Sequence, residues 1–393
     1  MHICLYTETA LPMVGGQEMA LDALARQYLA AGHQVTLLAP RPRSRLRRSE
    51  PDVPYRVVRH ARYLSTRHFL GWYVRALDQL WQRTPFDVLH CHNVFPAGEI
   101  AARFATRRRI PLVLTSHACD IAVDSHLWKK PQVLPRVRRV IEQADAIVAI
   151  SDMVEDRFVA LGADREQLVR IPNGVDGATL ATPVPRPENL CSQIQPDQYL
   201  LFLGRLIPRK GADLLVEAFL RLAETSSLTL VLAGEGAQSD ELRQRLSTEK
   251  HRDRVLLLGL VEGATKTYLL QHARSVVIPS RISEGSSLVV LEAYAAGRPV
   301  VATAVPGLVD VVLPERTGLL AVEDSTESLA AALAVVASEP ERVAAWGTAA
   351  REWVAPYDWQ QIAQRHLQLY SELRRAAGRE RRWELPDSLR RAA

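Results

Sequence analysis

The stretch SRISEGSSLVVLEAYAAGRPVVAT, residues 280–303, reads as the end of one strand, a turn of small residues, a helix near 286–296 and the next strand. Just before it, SVVIPS is a short β-branched run; just after it, RPVVATAV is another. Apolar runs of four to eight residues bounded by turn residues suit strands buried on both faces, and helices between them force a mostly parallel sheet. Towards the N-terminus the same unit repeats: QYLLFLGRL, a helix near 211–224, LTLVLAGEG, a helix near 238–247, RVLLLGLV and a helix near 265–272. Before that lies ATPVPRPENLCSQIQPDQ, rich in proline and polar residues and without periodicity, which marks a linker or a hinge-adjacent loop. On its far side the alternation runs again through HICLYTE, a helix near 17–31, QVTLLAP, a helix near 71–83, FDVLHCH, PLVLTSH, a helix near 132–144 and AIVAIS. The fold class is therefore α/β, with two Rossmann-like parallel-sheet domains expected to face a central cleft. The first spans 1–176, the linker 177–198 and the second domain 199–355. Residues 356–393 read as a terminal helix, free to pack back on the first domain, followed by a basic tail.

The 393 residues, 47% hydrophobic and 24% charged, suffice for two cores and exclude a disordered or disulfide-built chain. MHICLYTET has neither the basic start nor the long apolar stretch of a secretory signal, and no window is apolar enough to span a membrane. A cytoplasmic location is the expectation, with any membrane contact peripheral. The four cysteines, Cys4, Cys91, Cys119 and Cys191, lack metal-site spacing and read as small buried residues. The net charge of +5 gathers in the first half and the tail. The run RPRSRLRRSE at 41–50 and the tail around Trp383 read either as solvated surface or as contacts with an anionic lipid or acceptor.

The chemistry-bearing residues fall at strand ends. Glu284 and Glu292 flank a turn whose amides, on Gly285, Ser286, Ser287 and Leu288, crowd a helix N-terminus suited to a phosphate. Taken alone, the two glutamates read equally well as a capping acid and an exposed helix residue. Arg205 and Lys210, five residues apart in LLFLGRLIPRKGAD, can converge on a diphosphate, with Arg209 between them facing solvent. Gly15 and Gly16 form a turn entering the first helix, and TSHACD places His117 at a strand end with Asp120 beyond it. His90 and His92 lack the spacing and carboxylates of a metal site and read as structural or acceptor-side. No Asp-x-Asp element holds a divalent ion, so no metal or other cofactor is expected and cations and amides must meet any diphosphate charge.

These elements together resemble the family 4 glycosyltransferases of the GT-B architecture, whose signature is a Glu-(x)7-Glu element followed by a Gly-Arg/Xaa-Pro-Val-Val strand. The resemblance covers nearly the whole chain. It implies a retaining, metal-independent hexosyltransferase whose co-substrate is a nucleoside diphosphate sugar. By resemblance Glu284 and His117 contact the transferred sugar, Glu292 holds the ribose, and Arg205 and Lys210 hold the donor phosphates. Gly16, Gly234 and Gly236 approach the donor, and the main chain near Val261 touches the base. Gly15, Asp120 and Asn173 fall on the acceptor side, Asp120 either orienting the acceptor or supporting its loop, and Ser151 is a marginal candidate. Ser286 and Ser287, and Ala118 in place of a glycine, depart from the family pattern. A glycan or lipid-linked acceptor is implied, a peripheral membrane contact is compatible, and nucleic acid is not expected. Two alternatives stay open: a nucleotide-sugar epimerase or hydrolase of the same architecture, and a non-catalytic partner binding a membrane or nucleic acid through its arginines.

Overall fold

The structure, a computed structural model, describes residues 1–42, 52–61, 66–123 and 125–377. The arginine-rich run from 43 onward and the tail with Trp383 lie outside the described residues. The chain divides into two units, Met1–Asn173 with Trp359–Ala393, and Gly174–Asp358.

In the first unit the chain runs β1 (His2–Tyr6), α1 (Gly16–Ala30), β2 (Gln34–Pro40), β3 (Arg56–His60), α2 (Thr66–Arg83), β4 (Val88–Cys91) and α3 (Ala97–Arg108). It continues through β5 (Leu112–Thr115), α4 (Val133–Glu142), β6 (Ala146–Ala149), α5 (Asp152–Leu161) and β7 (Leu168–Arg170). The seven strands stand in the order β3-β2-β1-β4-β5-β6-β7, every pair parallel. Strands β1, β4, β5 and β6 are buried along their whole length, which explains why they read as unbroken apolar runs.

The second unit carries α6 (Gly177–Ala181), β8 (Tyr199–Leu203), α7 (Ala212–Leu222), β9 (Thr229–Ala233), α8 (Ser239–Leu246), β10 (Val255–Gly259) and α9 (Gly263–His272). After these come β11 (Ser275–Ile278), α10 (Leu288–Ala295), β12 (Val300–Thr303), β13 (Gly318–Ala321), α11 (Thr326–Ser338) and α12 (Pro340–Val354). Its parallel sheet has the order β10-β9-β8-β11-β12-β13. In both sheets the order reverses beside the unit's first strand, between β1 and β4 and between β8 and β11. At such a switch point the crossover helices leave on opposite faces, opening a crevice at the carboxyl ends of the strands.

Two expectations need correction. The segment expected as a linker, 177–198, belongs to the second unit: α6 is capped by the Asp176 side chain, and Ile194 is fully buried. Arg186 ties this segment down by donating to the carbonyls of Ile194 and Cys191, bonds that proline and polar composition do not reveal. The cysteines divide, Cys4 and Cys91 being buried while Cys119 and Cys191 are exposed. The terminal helix α13 (Trp359–Ala377) packs on α1. Ile362, Leu369, Tyr370 and Leu373 are buried, and the Tyr28 and Tyr370 hydroxyls lie 3.1 Å apart. Each such buried side chain contributes about 1.5–3 kcal/mol of apolar burial.

Candidate active site

The two loops beside the switch point of the second unit build its candidate site. Leaving β8, the chain passes Gly204 and Arg205 and makes a 3-10 turn over Pro208–Lys210. At Gly211, φ is +68°, and a Cβ would lie 1.9 Å from the Pro279 carbonyl oxygen, so this glycine lets the turn lie against the end of β11. Arg281 locks the two loops together. Its guanidinium makes a two-pronged bond to Asp213 at 2.7 and 2.8 Å and a further bond to Asp324 at 2.6 Å. Its backbone N–H donates to the Arg209 carbonyl.

That arrangement brings the Lys210 ammonium to the Glu284 carboxylate, with Nζ 2.6 and 2.8 Å from the two oxygens. Ser280 Oγ donates to the same carboxylate at 2.6 Å, and Glu284 N donates to the Pro306 carbonyl at 3.0 Å. Glu284 is 7% exposed. Burial pushes its carboxyl up, but Lys210, Ser280 and the charge of Arg209 together outweigh burial and hold it below the ordinary value. Arg209, expected to face solvent, is half-buried and contributes to this field.

Beyond Glu284 the chain reaches Ser287, the N-cap of α10, which makes no side-chain cap bond, so the amides up to Leu288 stay available to an anion, while Val290 N donates to the Ser287 carbonyl. Glu292, just over one turn in, accepts from Lys266 on α9 at 2.7 Å. Lys266 went unnoticed in the sequence because only the packing of α9 on α10 brings it to Glu292. Arg205 is exposed, with no side-chain partner among the described residues, and so is free for a ligand. Val261 lies half-buried in the loop after β10. At Gly234 and Gly236, Cβ atoms would meet the carbonyl oxygens of Gly204 and Leu206 at 1.8 and 2.2 Å. The space their missing side chains leave is filled by the chain's own backbone.

In the first unit, Gly15 precedes α1 in an extended conformation with φ −172°, so no left-handed turn demands it. Its missing side chain leaves room for the Glu18 carboxylate, and Gly16 opens the helix. His117 is half-buried just beyond β5, and burial lowers its imidazole to about 4. Asp120 is tied to its own loop and to Val94: its Oδ2 accepts from Val94 N at 2.5 Å and its Oδ1 from the Ser116 hydroxyl. Glu8, passed over in the sequence, accepts from the Ala97 amide at the start of α3. Burial, reinforced by Asp120 and opposed by that amide, leaves its carboxyl pushed up to about 8. Ser151 caps α5, which accounts for it structurally. Asn173 is buried and lines a small cavity with His92, His117 and His366. Among the described residues no group of three or more His, Cys, Asp or Glu is placed to hold a metal ion.

Ala118, which departs from the glycine of the family pattern, sits in the left-handed region with φ +77°. A non-glycine residue there costs about 1–3 kcal/mol, partly offset because glycine loses more chain entropy on folding. Ala118→Gly is therefore expected to raise stability by up to about 1 kcal/mol in thermal or denaturant unfolding, with the His117 loop unchanged.

Each unit is a doubly wound parallel sheet, and the second carries a cation–carboxylate pair and an uncapped helix end at its switch point. The description Glycosyltransferase Family 4 matches residues 14–178, and Glycosyl transferases group 1 matches 192–353. The D-inositol 3-phosphate glycosyltransferase of Kineococcus radiotolerans is 32% identical over 72% of this chain and 71% of its own length. The sucrose-phosphate synthase structure from Thermosynechococcus elongatus aligns with TM-score 0.81 at 24% identity, covering 95% of this chain and 99% of that one. Anabaena HepE in complex with UDP aligns with TM-score 0.76 at 20% identity, covering 94% and 100%. The chain belongs to the family 4 glycosyltransferases.

Proposed function

We propose that this enzyme transfers a hexosyl-type sugar from a nucleoside diphosphate sugar to a hydroxyl of a glycan or lipid-linked acceptor, with retention of anomeric configuration and without a metal ion or other cofactor. The observation that carries the reading is the part-buried Lys210–Glu284 pair beside the free amides at the start of α10. The Lys210 ammonium has three donors. Two positions face Glu284, leaving one, with Arg205 and the amides of Gly285, Ser286, Ser287 and Leu288, for the departing diphosphate. Charge-assisted donors aimed at a leaving diphosphate lower the barrier by stabilising the charge that develops on it. Glu284, kept ionised, faces the developing positive charge of the sugar, and Glu292 with Lys266 takes the ribose. His117 is assigned to the transferred sugar, while Gly15, Asp120 and Asn173 stay on the acceptor side.

Retention follows if the acceptor attacks from the face the diphosphate leaves, with the departing phosphate oxygen taking the acceptor proton. That route needs no protein nucleophile, and Glu284 is held by Lys210 and Ser280 rather than free to attack. The UDP complex of HepE and the inositol phosphate acceptor in the name of the Kineococcus relative support donor and acceptor classes of this kind. The test is incubation with UDP-, GDP-, ADP- and TDP-sugars in EDTA, following the first-formed anomer of transferred or released sugar by proton NMR. Retention of the donor's anomer without metal is expected. Inversion, or turnover only with Mg²⁺, contradicts the reading, and an epimerised nucleotide sugar as sole product points to the epimerase alternative.

A further inference from the structure

Four histidines stand side by side in the first unit: His90 in β4, His92 just beyond it, His117 just beyond β5 and His366 in α13. Ring centroids of His90 and His92 lie 4.0 Å apart, those of His92 and His117 5.5 Å apart and stacked, and those of His90 and His366 5.6 Å apart. His90 is satisfied at both nitrogens, with Nδ1 2.5 Å from the Tyr370 hydroxyl and Nε2 2.8 Å from Thr115 Oγ1. His366 holds Ile362 O through Nδ1 at 3.1 Å. His92 differs. Its Nδ1 lies 3.2 Å from His117 Nε2, while its Nε2 is buried with no protein partner.

Burial keeps all four rings neutral, each held below the ordinary histidine value. A neutral imidazole carries one N–H and one lone pair. Buried N–H groups without a partner are rarer than buried acceptors without one, since the lone donor forfeits its bond to water. The unpartnered Nε2 of His92 is therefore the lone pair, and the proton sits on Nδ1.

From this the geometry points to His92 as a positioning residue: its Nδ1–H donates to His117 Nε2, which fixes His117 as the Nδ1–H tautomer and makes it present a hydrogen-bond donor, not an acceptor, to its ligand. Resting on the proposed role of His117 at the sugar, this restricts the group His117 recognises to an oxygen that accepts. Tyr370 and Tyr28 buttress the row from the terminal and first helices.

The experiment is long-range proton–nitrogen NMR of histidine-labelled full-length protein at neutral pH, with His92 and His117 assigned by single His→Gln variants. The Nδ1–H pattern is expected at both residues. His92→Leu should move His117 towards the Nε2–H form, whereas His92→Asn, whose amide N–H stands near the former Nδ1–H, should restore it. Turnover should fall on the order of tenfold in His92→Leu with little change in KM, and recover in His92→Asn. An Nε2–H or protonated His117 in the wild type overturns the assignment, as does a signature unchanged in His92→Leu. Should the Leu variant fail to fold, the wild-type spectrum decides alone. Tautomers as expected with no sugar transfer by the wild type would overturn the role given to His117 while leaving the relay standing.

Discussion

Replacing Lys210 by alanine is expected to lower turnover by roughly 10²–10³-fold, the usual cost of losing one donor to a charge that develops in the transition state. The variant loses two things at once. The diphosphate loses a cation, and Glu284, 7% exposed, loses its main opposing charge. With Lys210 gone, burial prevails and the Glu284 carboxyl rises from below its ordinary value. In the wild type a carboxyl depressed in the folded state adds stability that is present above the unfolded value and is lost as pH falls through the folded one. The variant should therefore lose stability and activity at a higher pH than the wild type does. Steady-state rates and unfolding midpoints between about pH 3 and 8 check both effects. An acid limb that does not move would remove Lys210 as the partner of Glu284.

Gly307→Ala is expected to destabilise the second unit by about 3–5 kcal/mol and to abolish donor binding. Gly307 has φ +86°, and a Cβ there would lie 1.8 Å from the carbonyl oxygen of Glu284. Either the β12–β13 connection or the Glu284 loop must move, and the loop is anchored by the Glu284 N–H to Pro306 O bond. Gly263→Ala serves as the control within the same unit: φ is +54° with no atom within 4 Å, so only the backbone cost of about 1–2 kcal/mol remains. Chemical denaturation of the two variants separates the collision from the strain. Equal losses would show that the contact with Glu284 carries nothing.

The parts legible in the sequence were those written in local pattern. Strands such as YLLFL and TLVLA, buried on both faces, announce themselves as apolar runs. Glu284, Lys210 and Glu292 stand close to turns that small residues and cations mark out. Elsewhere local pattern failed. β3, RVVRH, lies at a sheet edge and mixes charge with apolar residues, so it does not read as a buried strand. α11, TESLAAALAVVAS, is too uniformly apolar to show which face packs. Lys266 meets Glu292, and Arg281 joins Asp213 to Asp324, across distances in sequence that only the sheet order closes. The histidine row likewise needs α13 docked on the first unit. Gly234 and Gly236 show the converse: the glycines were visible, but their immediate neighbour is backbone.

The most direct test of a metal-free donor site is calorimetric titration of the wild type, Lys210→Ala and Glu292→Ala with UDP, GDP, ADP and TDP in EDTA. Selective binding of one nucleotide by the wild type, weakened in both variants, is the predicted result. Binding of none in EDTA with recovery on adding Mg²⁺ would contradict the metal-free site, and binding of none under either condition would contradict the donor site itself.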